Sequence, residues 1–245
     1  MEKPGRQTQW DKASKRKGNS APLKTIGPFR TGETLNYRVA WSAFTAAATL
    51  QLSVPEQRNL YGWETWHFRS VAHTLNPVRT LFAIDDQFDS YSDATDLESR
   101  QYEMHLNEMG KKQDRTLHFV PIGQTSRAPG PDVVVLPGTL DPLGALYALR
   151  EADWERTPEF RAPAYDGQNM YEMIARREAP RDEVTVAAGK FSASRLAVHL
   201  TQHGKEVSGV SFEIWLSNDA ARIPVAIQAQ LPFGNARAEL VRAAP

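Results

Sequence analysis

The chain has 245 residues, enough to bury a sizeable core, and its 29 basic side chains are matched by 29 acidic ones. That balance removes any whole-chain electrostatic reason to bind nucleic acid or an anionic membrane. The absence of cysteine excludes disulfides, thiolate metal sites and a cysteine nucleophile.

The charge balance conceals an asymmetry. Residues 1–24 hold seven Lys or Arg against two Asp or Glu, so the rest of the chain carries the compensating acidic excess. This stretch is rich in Lys, Gly, Ser and Pro and nearly devoid of apolar side chains. It predicts a flexible or loosely docked basic arm over residues 1–27, followed by one β-rich domain over 28–245. No run approaches the ~20 apolar residues of a membrane helix, the longest apolar stretch being "FTAAATLQL" at 44–52.

From residue 28 the dominant signal is alternation of apolar and polar side chains, the signature of half-buried strands. It runs through "ETLNYRVAW" (33–41), "TLQLSV" (49–54), "WETWHFRSVAH" (63–73), "RQYEMHLNE" (100–108) and "RTLHFV" (115–120). It resumes in "NMYEMIAR", "DEVTVAA", "FSASRLAVHLT", "GVSFEIWLS", "PVAIQAQL" and "ARAELV" after residue 168. Gly189-Lys190, His203-Gly204 and Phe233-Gly234-Asn235 punctuate these runs as hairpin turns do. The expectation is mainly β: about eleven antiparallel strands in a curved sheet, either a half-barrel or a two-layer sandwich, with one or two short helices. Strand-rich halves 28–120 and 159–245 are joined by a loop and helix over 121–158.

Two segments break the alternation. In "NPVRTLFAID" (76–85), Asn76 as N-cap and Pro77 at the first helical position predict a short helix. In "DPLGALYALREADW" (141–154), Asp141 caps, Pro142 starts, and Leu143, Leu146, Tyr147 and Arg150 fall at helical spacing. The Leu143, Leu146 and Leu149 side of this helix is expected to pack on the sheet.

Phosphate-cradling, zinc-protease and serine-hydrolase motifs are absent. His199 and His203 sit four apart on a strand, a separation of roughly 13 Å that one metal ion cannot bridge. His67 and His73 are farther apart, and His105 meets His118 only if their strands pair. No metal or cofactor is expected, surface or core histidine being the commoner state; a site assembled across strands is the alternative. The acidic cluster "DDQFDSYSDATD" (85–96) lacks the glycine-bearing calcium loop and reads as a solvated acidic turn. Read instead as a strand, it turns Phe88, Ser90 and Ser92 one way and Asp89, Tyr91 and Asp93 the other, where Tyr91 beside Asp93 suits a polar ligand. Tyr147 and Arg150, on adjacent turns, could serve a lyase or esterase; against this, Arg150 could pair with Glu151 or cap the helix end.

Several segments together resemble a bacterial family of typically exported proteins, the domain of unknown function thirty-one-oh-eight. They carry Gly32, Glu33, Leu35 and Tyr37; Asp86, Ser90 and Asp93; Asp141, Leu143, Leu146, Tyr147 and Arg150; and Trp215, Ser217, Asp219, Ile223, Pro224 and Val225. The resemblance supplies no catalytic residues. It implies a periplasmic or envelope location after signal removal, with Met1 an artificial start. At fold level it is similar to the half-barrels of periplasmic lipoprotein carriers, which hold a hydrophobic ligand beneath helices.

The reading that follows favours a non-enzymatic extracytoplasmic protein that binds a lipid, glycan or protein of the envelope. Aromatic residues beside polar neighbours, Trp41, Trp63, Tyr91 and Trp215, are its ligand-binding candidates. A polysaccharide-active hydrolase or lyase built on Asp93, Asp141, Tyr147 and Arg150 is the first alternative, and a structural or assembly subunit of an envelope complex the second. Trp215 poses a particular question. It shares a strand face with Glu213 and Ser217, opposite Phe212, Ile214 and Leu216, and so either covers the following hairpin loop or lines a cavity.

Overall fold

The computed structural model describes residues 27–125 and 128–244; the predicted arm over 1–27 lies almost wholly outside them. In chain order the elements are β1 (Thr34–Trp41), β2 (Phe44–Leu60), β3 (Trp63–Thr74), α1 (Val78–Leu81), β4 (Asp85–Asp93), β5 (Ser99–Glu108), β6 (Lys111–Pro121) and β7 (Asp132–Val135). Then follow α2 (Pro142–Glu151), β8 (Glu159–Tyr165), β9 (Met170–Val186), β10 (Gly189–Gln202), β11 (Lys205–Ser217), β12 (Pro224–Leu231) and β13 (Gly234–Ala244). All the strands belong to one sheet, ordered β7-β6-β5-β4-β3-β2-β1-β13-β12-β11-β10-β9-β8. The chain thus builds one half outward from β1, and β13 returns to pair with β1 and seam the two meanders together. A single curved sheet replaces the sandwich alternative.

The strand count is thirteen rather than eleven, for identifiable reasons. "NMYEMIAR" and "DEVTVAA" are one strand, β9, interrupted in register where Pro180 cannot donate to the ladder. Pro55 likewise sits at the register shift within β2. Three strands went unread. β7 lies in the Pro and Gly rich loop and pairs with β6 in parallel, the one parallel ladder of the sheet. β8 contains Pro163 and occupies an edge, where the missing donor is tolerated. β4 is the acidic cluster itself, which is a buried strand and not a solvated turn. Its alternation is as read: Ser90 and Ser92 point to the concave side beneath α2, while Asp89 and Tyr91 point outward.

In a meander, alternate turns share an end. Turns 61–62, 94–98, 187–188 and 218–223 lie at one end of the half-barrel, and turns 42–43, 75–84, 109–110, 166–169, 203–204 and 232–233 at the other. α2, about 15 Å long at 1.5 Å per residue, lies across the first end as a floor. The edges of the sheet do not stay open. Leu140 N–H donates to Pro163 O at 2.9 Å, Tyr165 N–H donates to Leu140 O at 2.9 Å, and Ser99 N–H donates to Thr139 O at 3.0 Å. Phe119 meets Tyr165 edge to face at 5.8 Å, and Arg115 donates to Gly167 O at 2.8 Å. Residues 139–141 therefore tie the β8 edge to the start of β5, which protects unpaired groups of that edge strand from other chains.

α1 is capped differently from expectation: Pro77, not Asn76, occupies the N-cap, and no side chain bonds there. The turn is held instead by Arg79, whose Nη1 and Nη2 donate to Asp85 Oδ1 and Oδ2 at 2.8 and 2.7 Å, with His73 Nδ1 3.0 Å from Oδ1. Hydrogen bonds from Arg79 and then His73 hold the Asp85 carboxyl far below its ordinary value. A carboxyl depressed in the folded state stabilises above its unfolded pKa, and that contribution is lost as pH falls through the folded value. Asp85→Asn should therefore melt below the wild type at pH 7, with the gap closing as the pH drops below ~4. Thermal melts over a pH series check this; a gap independent of pH would assign it to another cause.

Candidate functional site

Glu33, Ser90, Asp141 and Arg150 of the family pattern meet at the floor of the half-barrel, whereas Asp86 bonds to Asn107 toward the other end, Asp93 to Arg100 and Trp215 to Asp182. Asp141 is fully buried and caps α2, accepting from Leu143 N–H at 2.9 Å and Gly144 N–H at 2.8 Å through Oδ1. Its Oδ2 accepts from Ser90 and Ser99 hydroxyls, both at 2.6 Å. Burial pushes this carboxyl above the usual range, and the four donors oppose the shift. Gly144 packs closely here: a Cβ would meet Ser92 Oγ at 3.0 Å and Asp141 Oδ2 at 3.1 Å, tighter than most side chains approach.

The far end of α2 is held by ions. Arg150 is 1 % exposed and grips Glu33 through Nη1–Oε1 at 2.6 Å and Nη2–Oε2 at 2.9 Å. It also donates to Ala221 O at 3.0 Å. The partner is thus Glu33, not the neighbouring Glu151 named from sequence. Burial alone would lower the guanidinium pKa, but Glu33 more than offsets it, so Arg150 stays charged. Arg222 returns the contact, donating to the carbonyls of Arg150, Glu151 and Ala152 at 3.2, 3.0 and 2.7 Å, where the negative end of the helix favours a cation. Tyr147 is stacked on Phe68 at 3.7 Å, and Tyr37 donates to Pro224 O at 2.8 Å. Burial raises the Tyr147 phenol well above its ordinary value, so it is protonated at neutral pH.

The remaining predicted residues lie elsewhere. Trp41 ends β1, stacked on Phe44 with Phe82 edge-on at 5.8 Å. Trp63 carries the Arg100 guanidinium over its ring at 4.0 Å, and Arg100 donates to Asp93 at 2.9 Å. Tyr91 stacks on His67 at 4.6 Å on the outer face. Trp215 is largely buried on that outer side, its indole N–H donating to Asp182 at 3.2 Å with Arg237 over its ring at 5.0 Å. The hairpin loop after it is ordered by Ser217 and Asp219 instead: Ser217 Oγ accepts from Ile223 N–H at 2.8 Å, and Asp219 accepts from Ser217 and Ala221 N–H.

None of these eight candidates lines the apolar groove above the floor. Its volume is about 470 Å³. Pro142, Ala145, Leu146 and Leu149, one face of α2, form its base. Met173, Val198, Leu200, Phe212, Ile214 and Ile227 form its wall, alternate residues whose side chains share the concave face of β9 to β12. Tyr165, Asp166 and Tyr171, beside the 166–169 turn, supply the few polar atoms. Leu146, Leu200, Phe212 and Ile227 are only half-buried, unlike the packed core beneath them. A larger concavity of about 660 Å³ on the outside of the floor is mixed in character, lined by Pro28, Trp154 and Leu216 as well as Ser217, Asp219 and Arg222. Ser217, Asp219 and Arg222 there are already engaged in the bonds just described.

The family model described as protein of unknown function (DUF3108) matches residues 36–241. None of the curated protein sequences compared matches the chain. Among solved structures, a β-barrel-like protein of the domain of unknown function DUF1849 from Brucella abortus superposes with a TM-score of 0.51 at 10% identity, covering 86% of this chain and 96% of that one. A candidate lipoprotein from Parabacteroides distasonis gives 0.42 at 12% identity, covering 89% and 98% respectively. The Brucella likeness is one of fold alone.

Proposed function

The chain belongs to the DUF3108 family, and from that premise we propose that it is a non-catalytic binding protein that holds an apolar ligand, of the acyl-chain kind, in the groove above α2. One observation carries this reading: the groove combines the volume of a small-molecule site with walls that are almost wholly apolar and incompletely packed. A well-packed barrel would fill such space with side chains, because voids forfeit dispersion contacts.

The groove reaches Asp166 in the 166–169 turn and Val207 on β11 beside the 203–204 turn, at the end opposite the floor. Leu81, Phe82, Met109 and Phe233, each more than half exposed, lie on turns of that same end. An apolar rim there suits transfer of a ligand from a lipid phase. The location that accompanies this reading is the cell envelope outside the cytoplasm, as the family resemblance implies. Of the family-pattern residues, Asp141, Arg150 and Glu33 act as fasteners of the floor.

The test is a titration with a fluorescent polyene fatty acid. Saturable binding of one equivalent, displaced by a saturated fatty acid and not by oligosaccharides, is the expected result. Displacement by oligosaccharide alone would transfer the site to a glycan, and no saturable binding of the probe would overturn the reading.

A further inference from the structure

The outer face of β3 to β5 carries a polar cluster that the groove does not use. Ladder pairing sets Arg69 opposite Asp89, Asp89 opposite Glu103, and Gln87 opposite His105. Alternation then points Asp89, Glu103 and His105 to one side, and one ligand atom from each lies within 4.8 Å of the others. Among the described residues this is the one such group of three.

Each member is held by its own outer partners. His105 Nδ1 is 2.7 Å from Asp114 Oδ1, which leaves Nε2 facing Glu103 at 3.4 Å. Asp89 accepts from Arg69 at 2.7 Å and Gln87 at 2.6 Å, and lies 2.5 Å from His67 Nε2. Glu103 accepts from the Gln101 amide. This is the arrangement metal ligands take, with second partners fixing tautomer and orientation.

Two buried polar side chains that contact the cluster are not fully hydrogen-bonded. His67 and Gln101 are each 4 % exposed and contact Asp89 and Glu103 through Nε2, while their other polar atoms make no hydrogen bond: Gln101 Oε1, and His67 Nδ1, which faces Glu56 Oε1 at 3.8 Å on the side away from the cluster. Two buried polar groups incompletely satisfied beside one pair of carboxylates call for an explanation.

We propose that Asp89, Glu103 and His105 bind a divalent first-row transition ion on the outer face of the sheet. One imidazole nitrogen and two carboxylate oxygens suit Zn²⁺ and leave coordination positions open to solvent, since His105 and Glu103 are both partly exposed. The ion tethers β4 to β5 across their ladder, on the face away from the groove.

Calorimetric titration of the chelator-treated chain with Zn²⁺ tests this. One equivalent should bind and raise the thermal midpoint. Glu103→Gln and His105→Ala, at partly exposed positions, should each weaken binding at least tenfold, and Asp114→Asn should weaken it through loss of orientation of His105. His199→Ala, which removes an exposed histidine paired with Glu206, should leave the affinity unchanged. No saturable Zn²⁺ binding, wild-type affinity in both Glu103→Gln and His105→Ala, or a loss confined to His199→Ala would each overturn the proposal.

Discussion

Arg150→Ala should lower the unfolding free energy by about 3–5 kcal/mol, because truncating one partner of a buried ion pair leaves the other charge buried and unpaired. Glu33 is that charge. It is 6 % exposed, and its two carboxylate oxygens are each bonded to the guanidinium. The Ala221 carbonyl loses its donor as well. Removing both charges is a different experiment. Glu33→Leu combined with Arg150→Met should recover much of the loss, since apolar replacements of a buried pair are often close to neutral. Recovery should be incomplete, because the carbonyls that Arg150 also serves remain without it. Urea unfolding of the two single variants and the double variant measures this coupling. A single-variant loss under about 1 kcal/mol would assign the pair to the class of exposed bridges that contribute little, and the fastening role of the floor would fall.

Leu146→Trp should abolish most apolar-ligand binding while leaving the fold intact. Leu146 is a half-buried residue at the margin of the core on the groove side of α2, so a larger ring has open space in the groove to enter. If the indole excludes two or three methylenes of an acyl chain at ~0.8 kcal/mol each, affinity falls by about 2 kcal/mol, roughly 30-fold. Thermal stability should be unchanged or slightly raised by the filled space. Comparing Leu146→Trp with Tyr147→Phe separates groove from floor: Tyr147 is stacked on Phe68 away from the groove lining, and its hydroxyl makes only a long bond to Ser53 O at 3.3 Å. Equal probe affinity in wild type and Leu146→Trp would place the ligand elsewhere.

The fold was legible where side chains alternate with a period of two, and the start of α2 where Asp141 and Pro142 stand together. Legibility failed where a strand had another strong local identity. Four Asp residues within 85–93 read as a turn because carboxylates favour solvent, yet Asp85, Asp86, Asp89 and Asp93 each find a donor that sequence cannot show. β7 and β8, short and Pro-flanked or Pro-bearing, lack the run length that alternation needs.

The site was harder. Aromatic side chains beside polar ones drew attention to Trp63, Tyr91 and Trp215, but each finds its polar neighbour on the outer face: Arg100, Arg58 and Asp182. The groove residues were visible only as core. Phe212 and Ile214 have the same type and parity as Leu216, and what distinguishes them is that α2 covers one end of the concave face and leaves the other uncovered. No single strand carries that information. The one sequence clue is quantity, since the apolar face of β10 to β12 is longer than a ten-residue helix can cover.

Native mass spectrometry of wild-type chain purified from envelope extracts without detergent addresses the groove most directly. The expected spectrum shows a fraction of molecules with one added lipid-mass species, lost on organic extraction, restored by adding fatty acid, and depleted in Leu146→Trp. A single unadducted mass that remains unadducted after fatty acid is supplied would contradict the account.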